Sequence, residues 1–311
     1  MPKSRHLRDF IAIAHSRSLR AAASSLGLTQ PAISRSLQEL EEELGVPLFE
    51  RHARGVVLTP AGEKFLVRAQ IATESIRRGC EEARQFQGDL SGTVSVSISS
   101  AAVLGMLPMA YPQFRRAWPS INVRFVDGNF PVIEPKLRDG ELDFYVGPRP
   151  ERELGSGYSV LRIADNERVI MGRKGHPLAA ATSLAELVDA EWVVSAIRDR
   201  VEEEFEEVFS AHGLPSPAVR TRAESMLVLV VLIATTDALV LLPKVWATNE
   251  LFGGMVQQLY VTETLAAPDI VQMHSSQFPL TPAAEHLSLL LQRAAGTPFT
   301  GAGGQAPPPA L

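Results

Sequence analysis

The chain has 311 residues, 45% of them hydrophobic and 21% charged, with a formal net charge of −5. That composition is globular and holds enough apolar material for more than one core, so two or three domains are expected. A single cysteine, Cys80, excludes an intramolecular disulfide and a two-cysteine redox switch, and the seven scattered histidines offer no pair at zinc-ligand spacing on a helix.

The acidic total hides an asymmetry. Residues 1–88 carry 13 Lys and Arg against 10 Asp and Glu, whereas residues 89–311 carry 17 against 25. A basic N-terminal segment on an acidic body suits nucleic-acid binding by one end. The start, MPKSRHLRDF, has no apolar signal core. The longest apolar run, Met226 to Ala234, is nine residues, about half of a membrane span, and is expected to be a buried core element. The chain is therefore expected to be cytoplasmic, without a membrane partner.

Leu7, Phe10, Ile11 and Ala14 recur at helical spacing and predict a first amphipathic helix. Ser18 is a candidate N-cap for a second, with Leu19, Ala22, Ala23 and Leu26 on its apolar face, and Gly27 permits a sharp turn after it. Thr29 is a candidate cap for a third helix with Gln30 and Pro31 in its first turn, an apolar stripe of Ile33, Leu37, Leu40 and Leu44, and Gly45 at its end. Two short helices joined by a tight turn make a helix-turn-helix.

The outward face of the third helix carries Gln30, Ser34 and Gln38 in one line, with Arg35 beside them. These side chains reach base edges and phosphates. Glu39, Glu41, Glu42 and Glu43 follow, and phosphates repel carboxylates, so the N-terminal half of the helix should enter the major groove. Two β-prone runs, from Val46 and from Val56, then flank His52-Ala53-Arg54-Gly55. They predict a wing with Arg51 and Arg54 near the backbone or minor groove, although a single arginine there can equally be a solvated charge.

Thr59-Pro60 caps a long helix reaching about Gln87. Phe65, Ala69, Ala72, Ile76, Gly79, Ala83 and Phe86 form a heptad seam. Pairing with a second copy makes the protein a dimer; packing against its own body is the alternative. Cys80 borders the seam as a small packing residue.

Residues 18–62, SLRAAASSLGLTQPAISRSLQELEEELGVPLFERHARGVVLTPAG, resemble the DNA-binding signature of the LysR-type transcriptional regulators almost throughout. The body is similar to that family through Phe114-Arg115-Arg116-Ala117-Trp118-Pro119, Leu137-Arg138-Asp139-Gly140-Glu141-Leu142-Asp143 and His176-Pro177-Leu178, so the resemblance covers about residues 5–295. It implies a helical winged helix-turn-helix domain at 1–59, a dimerising linker helix at 60–88 and an effector-binding α/β region at 89–295. That region would be like a type 2 periplasmic binding protein, with one subdomain at 89–164 and 268–295 and another at 165–267. The resemblance further implies tetramers on an imperfect inverted repeat, Gln30, Pro31, Ser34 and Arg35 as groove contacts, and Arg51 and Arg54 as wing contacts. Within the family, the body is most similar to regulators of aromatic-sulfonate or sugar-linked genes.

In the body, Val94, Val96 and Ile98 alternate with serines, and Ser99-Ser100-Ala101 leads into a helix expected to reach Phe114. Further strands are expected at Ile121 to Val126 and Leu142 to Val146, in a mostly parallel sheet. After a crossing near Ile163–Asp165, the second subdomain should hold Arg168–Gly172, Trp192–Ser195, a helix through Phe205 and Phe209, and Ala238–Leu242, with a return near Ala267–Val271. Ligands bind where strand carboxyl ends face such a cleft. The candidates are Ser99, Ser100, Asn129 and Phe130 on one wall, and Ser195, Ala196, Ile197, Ser225 and Met226 on the other, although strand-end serines also cap helices. Arg149 and Arg198 could pair an acidic effector or be surface charges, and Glu224 would favour a hydroxyl-rich one.

Glu202 to Glu207 is a solvated face over the buried stripe Val201, Phe205, Val208 and His212, and residues 296–311 form a disordered Gly/Ala/Pro tail or a proline-rich docking motif. A solute-binding protein would need an export signal and no helix-turn-helix. An enzyme would need a G-x-S-x-G, P-loop or dinucleotide motif, none of which occurs. The reading is a regulator with no catalytic residue, metal or cofactor. It binds a small organic effector, double-stranded DNA and itself as a dimer or tetramer, and RNA polymerase is a further candidate partner.

Overall fold

The computed structural model describes residues 2–52, 55–127, 130–151, 154–195 and 201–296. They form two compact units: the residues up to Asp89 together with Asp139–Glu141, and the remainder from Leu90 onward.

The first unit opens with α1 (Ser4–Ser16), whose buried face is His6, Asp9, Phe10 and Ile13. This face is rotated by one residue from the predicted stripe, because two polar residues share the buried side and Leu7 and Ile11 fall to its flanks. Arg17 ends α1 in the left-handed region at φ 52°, its N–H bonded to Ile13 O. In α2 (Leu19–Ser25) Ser18 caps as expected, its Oγ accepting from the Ala21 N–H at 3.3 Å. Gly27 turns the chain at φ 65° into α3 (Gln30–Leu44), which Gly45 closes at φ 71°. Thr29 stands at the N-cap of α3 but makes no capping bond; Pro31 in the first turn already removes one of the N–H groups that need a partner.

The wing follows as an antiparallel hairpin of β1 (Phe49–His52) and β2 (Gly55–Leu58), with Phe49 opposite Leu58 and Arg51 opposite Val56. Then comes α4 (Pro60–Phe86), where the Thr59 Oγ1 accepts from the Gly62 N–H at 3.0 Å and donates to Pro47 O at 2.8 Å. Phe10, Ile13, Ile33, Leu40 and Leu48 are the centre of the core, and the Phe10 ring meets those of Phe49 and Phe65 at 5.4 and 5.3 Å.

That core corrects part of the predicted dimer seam. Ala69 is buried in it and Phe65 packs against it, because the first turns of α4 close the helix-turn-helix. Farther along α4, Ala72 is half-buried, Ala83 is exposed, and Ile76 and Phe86 are 53% and 76% exposed. Cys80 is exposed. Glu74 receives hydrogen bonds from both Arg77 and Arg78, and Arg77 also pairs with Glu81, bonds that hold the Arg77 guanidinium above its ordinary value against the opposing effect of burial.

The second unit has two halves. Its first contains β3 (Gly92–Ile98), α5 (Ser100–Gly105), α6 (Leu107–Ala117), β4 (Ile121–Val126), α7 (Phe130–Arg138), β5 (Phe144–Pro148) and β6 (Tyr158–Ala164). The expected single helix after Ser99 is two, broken at Met106 just ahead of Pro108, which starts a helix readily but cannot continue one. The second half contains β7 (Arg168–Arg173), a 3-10 turn at Leu184–Leu187, β8 (Trp192–Ser195), α8 (Val201–Ser210), β9 (Val219–Ala223), α9 (Met226–Thr235), β10 (Val240–Pro243), α10 (Val245–Thr248) and β11 (Val256–Leu259). The chain then returns to the first sheet as β12 (Ile270–Ser275) and ends in α11 (Pro282–Ala295).

The first sheet has the order β4-β3-β5-β12-β6, with β3 parallel to β4 and β5, and β12 antiparallel to both neighbours. In the second half, β8 and β9 are parallel, and β7 lies antiparallel between β10 and β11. A parallel bridge between Trp192 and Leu239 joins the two groups. The order is therefore β9-β8-β10-β7-β11, the same pattern as in the first half. The sheets are mixed rather than mostly parallel, because the strand that crosses over from the other half enters each sheet in the opposite direction.

The sequence pattern does not anticipate β6, β9 or β11. Each is a sheet-edge strand with no shared signature: β6 is largely apolar without strict alternation, β9 carries two arginines in five residues, and β11 is only four residues long. In β3 the serines are buried as well as the valines, because helices cover both faces of the sheet. The apolar run Met226 to Ala234 is the helix α9, yet it buries one face only: Leu229, Val230 and Ile233 are inside while Leu227 is 74% exposed. On α8 the buried stripe is Phe205, Val208 and Phe209; His212 lies beyond the helix and is exposed. Among the described residues no helix is long and apolar enough to cross a membrane.

Candidate functional site

On α3 the buried stripe of Ile33, Leu37 and Leu40 fixes which side faces outward. Gln30, Pro31, Arg35 and Gln38 are exposed and Ser34 is half-buried, so the predicted groove-reading residues share the solvent side of one helix. The Gln38 amide donates one N–H to Glu42 Oε1 at 2.8 Å, which leaves its second N–H and its carbonyl oxygen for other partners.

The acids of α3 have separate tasks. Glu39 Oε2 lies 3.2 Å from Arg5 Nη2 and from His6 Nε2, which ties α3 to the first turn of α1. Glu41 Oε1 accepts the backbone N–H groups of Leu48 and Phe49 at 2.6 and 3.2 Å.

The wing is held at its other root by the α1–α2 turn, where the Val56 N–H donates to Arg17 O at 3.1 Å. Gly55, at φ 136°, is required there because a Cβ would stand 2.4 Å from that same carbonyl oxygen. Arg51 is placed in β1; Arg54 lies outside the described residues.

In the second unit, β3 and β8 are equivalent strands of the two halves. Ser99, just past β3, and Ser195, the last residue of β8, therefore hold equivalent positions. Ser99 caps α5, its Oγ accepting from the Ala102 N–H at 3.5 Å, and Ser100 is the first residue of that helix. Ser195 Oγ lies 4.0 Å from Met226 Sδ. Ser225, at the N-cap of α9, is exposed and makes no capping bond. Phe130 starts α7 with its ring against Tyr145 at 5.8 Å. Arg149 and Glu224 are exposed. Asn129, Ala196, Ile197 and Arg198 lie outside the described residues, as do residues 297–311.

The two crossing segments are tied to each other, and to the start of the second half, through residues that the sequence pattern does not single out. Arg162 Nε donates to Asp269 Oδ2 at 2.6 Å and Arg162 Nη2 to Asp165, and these bonds and charges hold the guanidinium above its ordinary value. Asn166 donates to Pro268 O, and Lys244 pairs with Glu167 at 2.7 Å. Leu104 of α5 is buried among residues of β7, β8, α9 and β10, joining the halves through apolar packing as well. His176 of the predicted His-Pro-Leu motif accepts the Leu178 N–H on Nδ1, so its Nε2 donates to Asp237 O. It is a buried brace of the second half.

A winged helix-turn-helix carried with a two-lobed, twice-crossed α/β unit defines a DNA-binding regulator with a ligand-type domain. The model for the "Bacterial regulatory helix-turn-helix protein, lysR family" matches residues 4–63, and that for the "LysR substrate binding domain" matches residues 87–296. The chain belongs to the LysR family of transcriptional regulators, whose members are not enzymes. It is 30% identical over 239 residues to the HTH-type transcriptional regulator GbpR of Azospirillum brasilense, covering 76% of this chain and 70% of that protein. To TdcA of Escherichia coli (strain K12) it is 26% identical over 289 residues, 92% of this chain and 91% of that one. The crystal structure of CbnR, a LysR family transcriptional regulator, matches with a TM-score of 0.67 at 22% identity, covering 95% of this chain and 100% of that chain, a likeness of fold.

Proposed function

We propose that α3 reads the DNA major groove with Gln30, Pro31, Ser34, Arg35 and Gln38, while Arg51 and Arg54 of the wing engage the flanking backbone or minor groove. The single observation that carries this reading is the free outward face of α3 over its buried Ile33, Leu37 and Leu40 stripe. Two copies pair through the part of α4 not engaged in its own core, Ala72, Ile76 and Ala83. The exposure of Ile76 supports this. Two paired units place two α3 helices on one duplex, so the operator is an inverted repeat. Dimers of dimers then give a tetramer on the operator, and RNA polymerase is the further partner of a cytoplasmic regulator.

A small organic effector sits between the two halves of the second unit, with Ser99, Ser100, Asn129 and Phe130 on one wall and Ser195, Ala196, Ile197 and Ser225 on the other. The equivalence of Ser99 and Ser195 supports this placement. Effector binding shifts the population of assembly geometries and thereby the contacts with the operator. The test is titration of full-length protein against duplex DNA at rising salt. Affinity should fall steeply as phosphate contacts are screened, and an absence of binding in dilute buffer overturns the reading.

A further inference from the structure

The four acids at residues 39 and 41–43 look alike in the sequence, but Glu41 stands apart in its contacts. Its Oε1 takes two consecutive backbone N–H groups, those of Leu48 and Phe49, where β1 begins. Charge-assisted bonds of this kind are stronger than neutral ones. Two carbonyls at this root are also engaged. Leu48 O accepts from the Thr59 N–H at 2.9 Å, and Pro47 O from the Thr59 hydroxyl at 2.8 Å. Gly62 leaves room for that carbonyl, since a Cβ there would stand 2.1 Å from Leu48 O. Leu48 itself is 1% exposed in the core.

The hairpin thus leaves the body from a fixed root, and the carboxylate that holds it comes from the recognition helix itself. We propose that Glu41 is a positioning residue for DNA recognition, fixing the wing in one place relative to the reading face of α3. The groove contacts of α3 and the wing contacts then form a single rigid footprint. The inference rests on the proposed roles of α3 and the wing. It adds that Glu41, which touches no DNA, sets the spacing between them.

The test uses full-length protein and a duplex that the wild-type chain selects from a random-sequence pool. Glu41→Ala should weaken binding on the order of tenfold. It should remove the sugar protections on the wing side and keep the guanine N7 protections made by α3. In a double-mutant cycle, Arg51→Ala should weaken the wild type but add little to Glu41→Ala, because the wing is already uncoupled. Additive losses, or an undisturbed wing footprint in Glu41→Ala, overturn the proposal. Should Glu41→Ala fail to fold, Glu41→Gln in the same cycle decides: it keeps one carbonyl acceptor and should show a smaller loss, still coupled to Arg51. An Arg35→Ala chain that binds like the wild type would instead overturn the groove reading of α3 and leave the Glu41 clamp standing.

Discussion

The outward face of α3 and the strand-end serines of the second unit are both polar surfaces, but they relate to their own fold in opposite ways. Gln30 and Arg35 are exposed on a helix whose other side is core, and the fold asks nothing of their side chains. Ser99 caps α5 and Ser195 Oγ rests near Met226 Sδ. The difference teaches that a residue free of structural work can be changed to alter binding alone, whereas a capping serine alters stability and binding together.

That contrast yields a graded set of expected effects. The largest is at the outward face of α4, where Ile76→Asp should bury an uncompensated carboxylate in the paired coil. A weakening of ~4 kcal/mol, roughly a thousandfold in dimer dissociation, is expected; sedimentation showing an intact dimer at low micromolar protein would break the assignment of that face. Next comes Gly62→Ala, where the added Cβ meets Leu48 O at 2.1 Å. About 2–3 kcal/mol of stability should be lost in chemical denaturation, against ~1 kcal/mol for Gly27→Ala, whose left-handed backbone stands in open space. Equal losses at the two glycines would contradict the close approach at the wing root. Arg35→Ala should cost roughly 1–3 kcal/mol of operator affinity without moving the melting temperature. Ser99→Ala should cost the second unit ~1 kcal/mol through its lost cap, before any effector is present. A melting temperature equal to that of the wild type would mean the cap does not hold α5.

The first unit is legible in the sequence where its devices are local. Ser18, Gly27, Gly45 and Pro60 act within a few residues of themselves, and the outward face of α3 follows from periodicity alone. What periodicity misjudges is sharing. Phe65 and Ala69 fit a coil seam equally well as the core of their own unit, and only the folded chain shows that they pack into the core around Phe10 of α1. Polar residues on a buried face mislead in the same way, as His6 and Asp9 do on α1. The second unit is harder to see. Its edge strands share no pattern, from the seven largely apolar residues of β6 to the four of β11, and β12 joins a sheet left more than a hundred residues earlier. The clasp of Arg162 to Asp269 links residues with no local signal at all. Likewise, Glu41 is hidden among identical neighbours until its two backbone partners are known.

The most direct test of the central claim, that the exposed side of α3 reads DNA sequence, is parallel selection of duplexes from one random pool by wild-type protein and by Arg35→Ala. The account predicts an inverted repeat enriched by the wild type, with preference relaxed at one symmetric pair of positions by the variant. Identical motifs from the two proteins, or no enrichment by the wild type at low salt, would contradict it.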